Sequence, residues 1–184
     1  MHGFIPSVID IEASGLSSED YPIEIGVVRS DGERFCSLIT PFKQWRHWNV
    51  QAESIHGISR EMLFSYGSSG VEVCLKLNEF LRGETVYSDG WVVDYPWLIR
   101  LFEASAIEME FRLSDIDYIL NEQQMINWQS VKQSIIAERG AKRHRASFDA
   151  DIVQQTFVQS RSIEVQALKI KGGGHNPGRF QSVA

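Results

Sequence analysis

Three places along the 184-residue chain carry residue types whose spacing could do chemistry. Asp10 and Glu12 stand two apart at the end of an apolar run that begins at Phe4 and reads as a short strand. Alternate side chains of a strand point the same way, so both carboxylates face one side. Acids at period two are also common on half-exposed strands, where they meet only solvent. Here Val8, Ile9 and Ile11 flank the pair and predict a central strand buried on both faces. A carboxylate pair in such a place needs a cation. Asp94, in SDGWVVDYPWL, is the second candidate, although an acid in this position also serves simply as a charge at a helix N-terminus. Asp89 is its rival, but Asp-Gly is chiefly a turn signal. The third place is His144-Arg145-Ala146-Ser147-Phe148-Asp149. Residues five apart on a helix do not share a face, so His144 and Asp149 converge only if His144 lies in the loop before a helix and Asp149 in its first turn. By itself such a pair reads as a solvated histidine and an ordinary first-turn acid.

The elements that would position these residues follow from pattern. Phe4 to Asp10, Tyr21 to Ser30 and Glu33 to Ile39 read as three strands, the last two joined by an Asp31-Gly32 hairpin turn. Trp45 to Ser59 reads as a long irregular loop. Val71 to Leu81 has helical periodicity with Val71, Cys74, Leu75 and Leu81 on one face, and Gly83 follows as a stop. Glu84 to Ser88 is a fourth strand, Tyr95 to Ala104 a helix with Pro96 near its first turn, and Phe111 to Ile116 a fifth strand. Two helices, Trp128 to Arg139 and Phe148 to Ser160, close the domain; Ser147 is the expected N-cap of the second, whose apolar stripe is Phe148, Ile152 and Phe157. The whole predicts one α/β domain over residues 1–168 with a mixed sheet, then a polar Gly-rich tail over 169–184.

Read together, D-x-E on the first strand, an Asp after the fourth, and H-x-A-x-x-D at a late helix resemble the DEDDh class of 3′–5′ exonucleases, the proofreading-exonuclease and RNase T group of the ribonuclease H-like superfamily. The resemblance runs through VIDIEASGL, YPIEIGVV, SIHGIS, VDYPWL and HRASFDADI, which is most of the chain. It departs from the family where Ala13 stands in place of the usual Thr, where Ser88-Asp89 replaces His-Asn, and where Val93 replaces Phe. The resemblance implies a three-layer fold with a mixed five-stranded sheet, its first three strands an antiparallel meander, flanked by helices. It implies two Mg²⁺ or Mn²⁺ ions, with Asp10, Glu12 and Asp149 holding the first and Asp10 and Asp94 the second, and His144 as general base. It further implies release of nucleoside monophosphates from the 3′ end of a single strand, RNA slightly ahead of DNA. Leu16, His56, Arg143 and Arg145 become the substrate-binding candidates, and a homodimer joins the expectations because stand-alone members often pair. Trp45 and Trp48 are candidates for base stacking, with packing at least as good an account.

Composition narrows the alternatives. Eighteen Lys and Arg against 24 Asp and Glu give a net charge of −6, which excludes a generally basic nucleic-acid coat protein but not an enzyme whose contacts are local and metal-bridged. At 43% hydrophobic residues the chain is not a disordered one, and no apolar run approaches a membrane span. The N-terminus MHGFIPSVIDIE lacks a basic region and meets a carboxylate early, which argues against a signal peptide. Cys36 and Cys74 are too few for a disulfide framework and read as buried small apolar residues, in keeping with a reducing cytoplasm. Two other functions share these residues: a metal-dependent phosphohydrolase of nucleotides, and a non-catalytic nucleic-acid-binding module on the same fold.

Overall fold

The structure, a computed structural model, describes residues 3–140 and 144–172, with side chains described as far as Arg161. Five strands form one sheet in the order β3-β2-β1-β4-β5. They are β1 (Ser7–Ala13), β2 (Pro22–Val28), β3 (Arg34–Leu38), β4 (Thr85–Ser88) and β5 (Arg112–Asp115). The first three pair antiparallel, while β1–β4 and β4–β5 pair parallel. The mixed α/β sheet with its opening meander is therefore as expected. The β2–β3 turn has Gly32 at φ 91°, a left-handed conformation that suits glycine, which is why Asp31-Gly32 signals the turn correctly.

β1 is the middle strand and is covered on both faces. Ile9, Ile11 and Ala13 enter the larger core with α3 (Gly70–Leu81) and α4 (Trp91–Ser105). Val8 points the other way, onto Ala150, Val153 and Phe157 of α6 (Ala146–Gly172). Asp10 and Glu12 share the parity of Val8 and so face the α6 side. α5 (Glu122–Arg139) packs beside α6, where Val131 and Ile135 meet Ile152. On α6 the buried face is wider than the Phe148-Ile152-Phe157 stripe: Gln154 is buried too and donates to the carbonyls of Pro6 at 2.8 Å and Arg29 at 3.0 Å. Among the described residues no helix is long and apolar enough to cross a membrane.

Several local expectations change. The stretch from Trp45 to Ser59 contains α1 (Val50–His56), followed by α2 (Arg60–Tyr66). Asn49 and Ser59 cap these helices through their side chains, but seven residues give too short a run for periodicity to show. On α3 the buried face is Val73, Cys74, Leu77 and Leu81, and Val71 and Leu75 are exposed. The i, i+3, i+4, i+7 series from Cys74 selects that face, with Asn78 as its polar member. α4 starts four residues earlier than Tyr95, which puts Pro96 inside the helix and Asp94 in its first turn. Cys36 is exposed on β3 instead of buried, whereas Cys74 is buried. Ser147 is not the N-cap of α6: the first helical bonds, from the amides of Phe148 and Asp149, go to the carbonyl of Arg145. The helix continues to Gly172, and residues 173–184 of the expected tail lie outside the described residues.

Candidate active site

The three sequence motifs meet at the C-terminal end of β1. Asp10 and Glu12 project from the strand toward α6. Asp94 reaches the same place from the first turn of α4, where its amide donates to Gly90 O at 3.0 Å. Its buried carboxylate accepts from the Ser88 hydroxyl and from the Ile11 amide. Asp149 lies in the first turn of α6, and His144 in the segment just before it. The His144 amide donates to Asp149 Oδ2 at 2.8 Å, and His144 adopts φ 65°. This is the loop-then-helix arrangement that convergence of the two residues requires.

These five residues line one cavity of about 210 Å³. Among the described residues, ligand atoms of Glu12, His144 and Asp149 all lie within 4.8 Å of one another. The electrostatics of the cluster are those of acids without enough positive charge. Burial, then the charges of Asp94, Glu12 and Asp149, push Asp10 well above the ordinary carboxylate range. Burial and the neighbouring Asp149, Glu24 and Asp94 raise Glu12 to about 7, against the opposing pull of Arg145. Burial and Asp89 raise Asp94 to about 7, although Ser88 and the Ile11 amide favour its ionised form. A hard divalent cation bound by these oxygens would relieve that repulsion, and carboxylate donors suit Mg²⁺ or Mn²⁺.

Of the cavity wall, Asp89 is the rival weighed against Asp94, and Lys132 escapes the sequence reading. Asp89, beyond its role in the turn, forms an ion pair with Lys132 of α5, and both line the acid cavity. The departure of Ser88-Asp89 from the family pattern hints at Asp89, but Lys132 arrives from a remote helix with no local motif. Beside this cavity, sharing Ile11, Glu12, Val93 and His144 as common wall, lies a mostly apolar pocket of about 360 Å³. Leu16 and His56 both line it. Leu16 is 83% exposed at its rim, while His56 is buried at the end of α1, with Nδ1 accepting from the Ile58 amide at 3.0 Å. That bond leaves the proton of the neutral ring on Nε2, an atom with no partner among the described residues.

The other described candidates fall elsewhere. Arg145 grips Glu24 of β2, with Nε 3.1 Å from each carboxylate oxygen. Arg143 lies outside the described residues. Trp45 is buried and stacked on Tyr21 with ring centroids 5.1 Å apart, so packing accounts for it. Trp48 is half-buried, donates to Glu53 and meets His56 edge-on.

No family model and no curated protein sequence matches the chain. Solved structures do. Escherichia coli Exonuclease I in complex with a dA16 oligonucleotide superimposes with a TM-score of 0.65 at 12% identity, over 88% of this chain and 42% of that one. The zinc-bound form of the E. coli Exonuclease I–single-stranded DNA complex gives the same TM-score, identity and coverage. A moderately thermophilic Exonuclease I from Methylocaldum szegediense gives 0.62 at 15% identity, over 86% of this chain and 41% of that one. The chain shares its fold with Exonuclease I. It spans about two fifths of the length of these Exonuclease I chains, as the 42% and 41% coverages show. The mixed five-stranded sheet flanked by helices that the resemblance implies is the architecture found.

Proposed function

We propose that this chain is a metal-dependent 3′–5′ exonuclease acting on the 3′ end of single-stranded nucleic acid and releasing nucleoside monophosphates. One juxtaposition carries the reading: a cavity walled by Asp10, Glu12, Asp94, Asp149 and His144 shares its wall with an apolar pocket bearing Leu16 and His56. The first suits the charge that develops at a phosphodiester, and the second suits a base and sugar. The likeness of the fold to Exonuclease I, known in complex with single-stranded DNA, supports the same direction.

Asp10, Glu12 and Asp149 would hold one Mg²⁺ or Mn²⁺, and Asp10 with Asp94 a second. Two such ions supply an activated water and charge stabilisation at both ends of the displacement. The chain's own groups do the remainder. His144 would take the proton of the attacking water on a ring nitrogen, the role of an imidazole general base. Its ring lies beside the Glu12 and Asp149 carboxylates, within 4.8 Å of their oxygens, which supports that role. His56, whose buried Nε2 N–H has no partner among the described residues, lines the nucleotide pocket, and Leu16 would supply apolar contact for a base. Lys132, paired with Asp89, lines the same wall of the acid cavity.

The test uses matched RNA and DNA oligomers, each labelled at the 5′ end, with Mg²⁺ and with Mn²⁺. A ladder descending from the 3′ end, abolished by a 3′ block, is the expected result. RNA is the strand expected to be degraded somewhat faster, and the DNA bound in the Exonuclease I complexes makes DNA the necessary second arm. Internal cleavage of a circular strand makes the protein an endonuclease, hydrolysis confined to free nucleotides makes it a phosphohydrolase, and binding without cleavage makes it a binding module. Any of these three results overturns the proposal.

A further inference from the structure

Glu24 is fully buried on β2, directly opposite Glu12 in the antiparallel register. Two carboxylates side by side on one face repel, and a buried charge needs its lone pairs met. For Glu24 they are met completely. Arg145 Nε lies 3.1 Å from both oxygens, Arg145 Nη2 also donates to Oε1, and the Ala146 amide donates to Oε2 at 2.9 Å. The Ala146 amide is among the first N–H groups of α6, which have no partner within the helix. Glu24 therefore caps α6 from a strand far away in sequence, the task Ser147 does not perform.

A second feature presses the same point of the helix onto the same strand. At Gly26 a Cβ would come within 2.0 Å of Ser147 N and 2.2 Å of Ala146 C, so only glycine admits so close an approach. Residues 145–147 are thus pinned to β2 by an ion pair, a cap and a direct backbone contact. His144 is joined to this pinned segment by one peptide bond and sits in the left-handed region that a non-glycine residue enters only when its surroundings hold it there. Its amide closes onto Asp149 of the same first turn.

We infer that Glu24, acting through Arg145 and the Ala146 amide, is the positioning residue that sets His144 and Asp149 at the acid cavity. Arg145 is then committed to the loop and not to a substrate phosphate. The inference rests on the exonuclease reading above. Neither Glu24 nor Arg145 touches the reacting atoms; their effect passes through the placement of the general base, where an error of about 1 Å costs up to about 100-fold in rate.

The experiment compares Glu24→Gln, Arg145→Met and the double variant Glu24→Gln/Arg145→Met with the wild type. Glu24→Gln keeps the size and one carbonyl oxygen. The double variant leaves no buried charge unpaired, so it stays interpretable where Arg145→Met alone does not fold. Steady-state kcat and KM are measured on a single-stranded oligomer with Mn²⁺, and amide hydrogen exchange is followed over residues 144–149 and 8–12. Glu24→Gln and the double variant should each lose about 10-fold or more in kcat, with KM within about twofold of wild type. The double variant should be no slower than the slower single one, because both break the same clamp. Exchange should quicken at 144–149 and stay as in wild type at 8–12. A raised KM with unchanged kcat in the double variant makes Arg145 a phosphate ligand and overturns the inference. Wild-type kcat in the double variant, or unchanged exchange at 144–149, overturns it as well. Should the wild type release no nucleotide, the exonuclease reading fails by that control, and the exchange measurement still decides whether Glu24 holds the loop.

Discussion

Asp20 and Glu12 belong to the same stretch of chain, on either side of the Leu16 loop, yet their carboxylates are shifted in opposite directions. Asp20 is fully buried. It accepts from the Ser14 hydroxyl at 2.7 Å and from the Ser17 amide and hydroxyl, each at 2.8 Å, and it pairs with His47 Nδ1 at 2.8 Å. Burial by itself would raise its pKa, but these hydrogen bonds outweigh it and hold Asp20 at about 2. Glu12 also leaves water, but what surrounds it is chiefly more carboxylate, and it rises to about 7. The first region is complete as it stands and serves to shape the loop that carries Leu16. The second lacks such partners, and the cation proposed above would supply them. Burial does not distinguish structural acids from functional ones; the difference lies in whether the chain itself supplies the partners.

The sharpest way to break this comparison is through His144, the one group of the acid cavity assigned to proton transfer. His144→Ala should reduce turnover by about 10²–10⁴-fold while the protein still gains thermal stability from Mn²⁺. An unchanged rate at pH 7–8 with metal bound would remove His144 from the mechanism.

A smaller effect, on stability, sets the two acids directly against each other. Asp20→Asn should destabilise the fold by about 3 kcal/mol, since it weakens several hydrogen bonds to a buried charge. Glu12→Gln should do the reverse in EDTA, melting at or above the wild type because it relieves repulsion. With metal the order changes: a divalent ion bound only by the folded form adds about 2.7 kcal/mol to the wild type at 100 times its dissociation constant, and Glu12→Gln should gain less. Melting curves with EDTA and across a Mn²⁺ titration at constant ionic strength measure both. Equal metal-induced shifts in wild type and Glu12→Gln would place the ion elsewhere.

The smallest expected effect is a pH dependence whose sign differs between the regions. Glu12 and Asp94 are raised on folding, so the folded state holds protons the unfolded chain has lost, and their contribution is full below the ordinary carboxylate range and disappears as pH rises through about 7. Asp20 is lowered, so its contribution is present above its unfolded pKa and is lost as pH falls toward about 2. In EDTA the wild type should therefore melt several degrees higher at pH 5 than at pH 8, and saturating Mn²⁺ should reduce that difference. A melting temperature that rises from pH 5 to pH 8 in EDTA would contradict the picture of a strained acid cluster.

The sequence by itself determined a good deal. Strand periodicity puts Asp10 and Glu12 on one face, Val8, Ile9 and Ile11 bury their strand, and His144 and Asp149, five apart, can converge only through a loop followed by a helix. Each of these is local stereochemistry, settled within a few residues, and each is found in the structure. The same local rules misplace the cap of α6, because Ser147 is the right residue type but the N–H groups it would serve are met by Glu24 from another strand. They likewise give no sign of Lys132, of the burial of Gln154 or of Arg145's commitment to Glu24. All four are charge or hydrogen-bond pairings between elements far apart in the chain. Which donor meets which buried acceptor depends on how sheet and helices pack, and only the tertiary structure decides it.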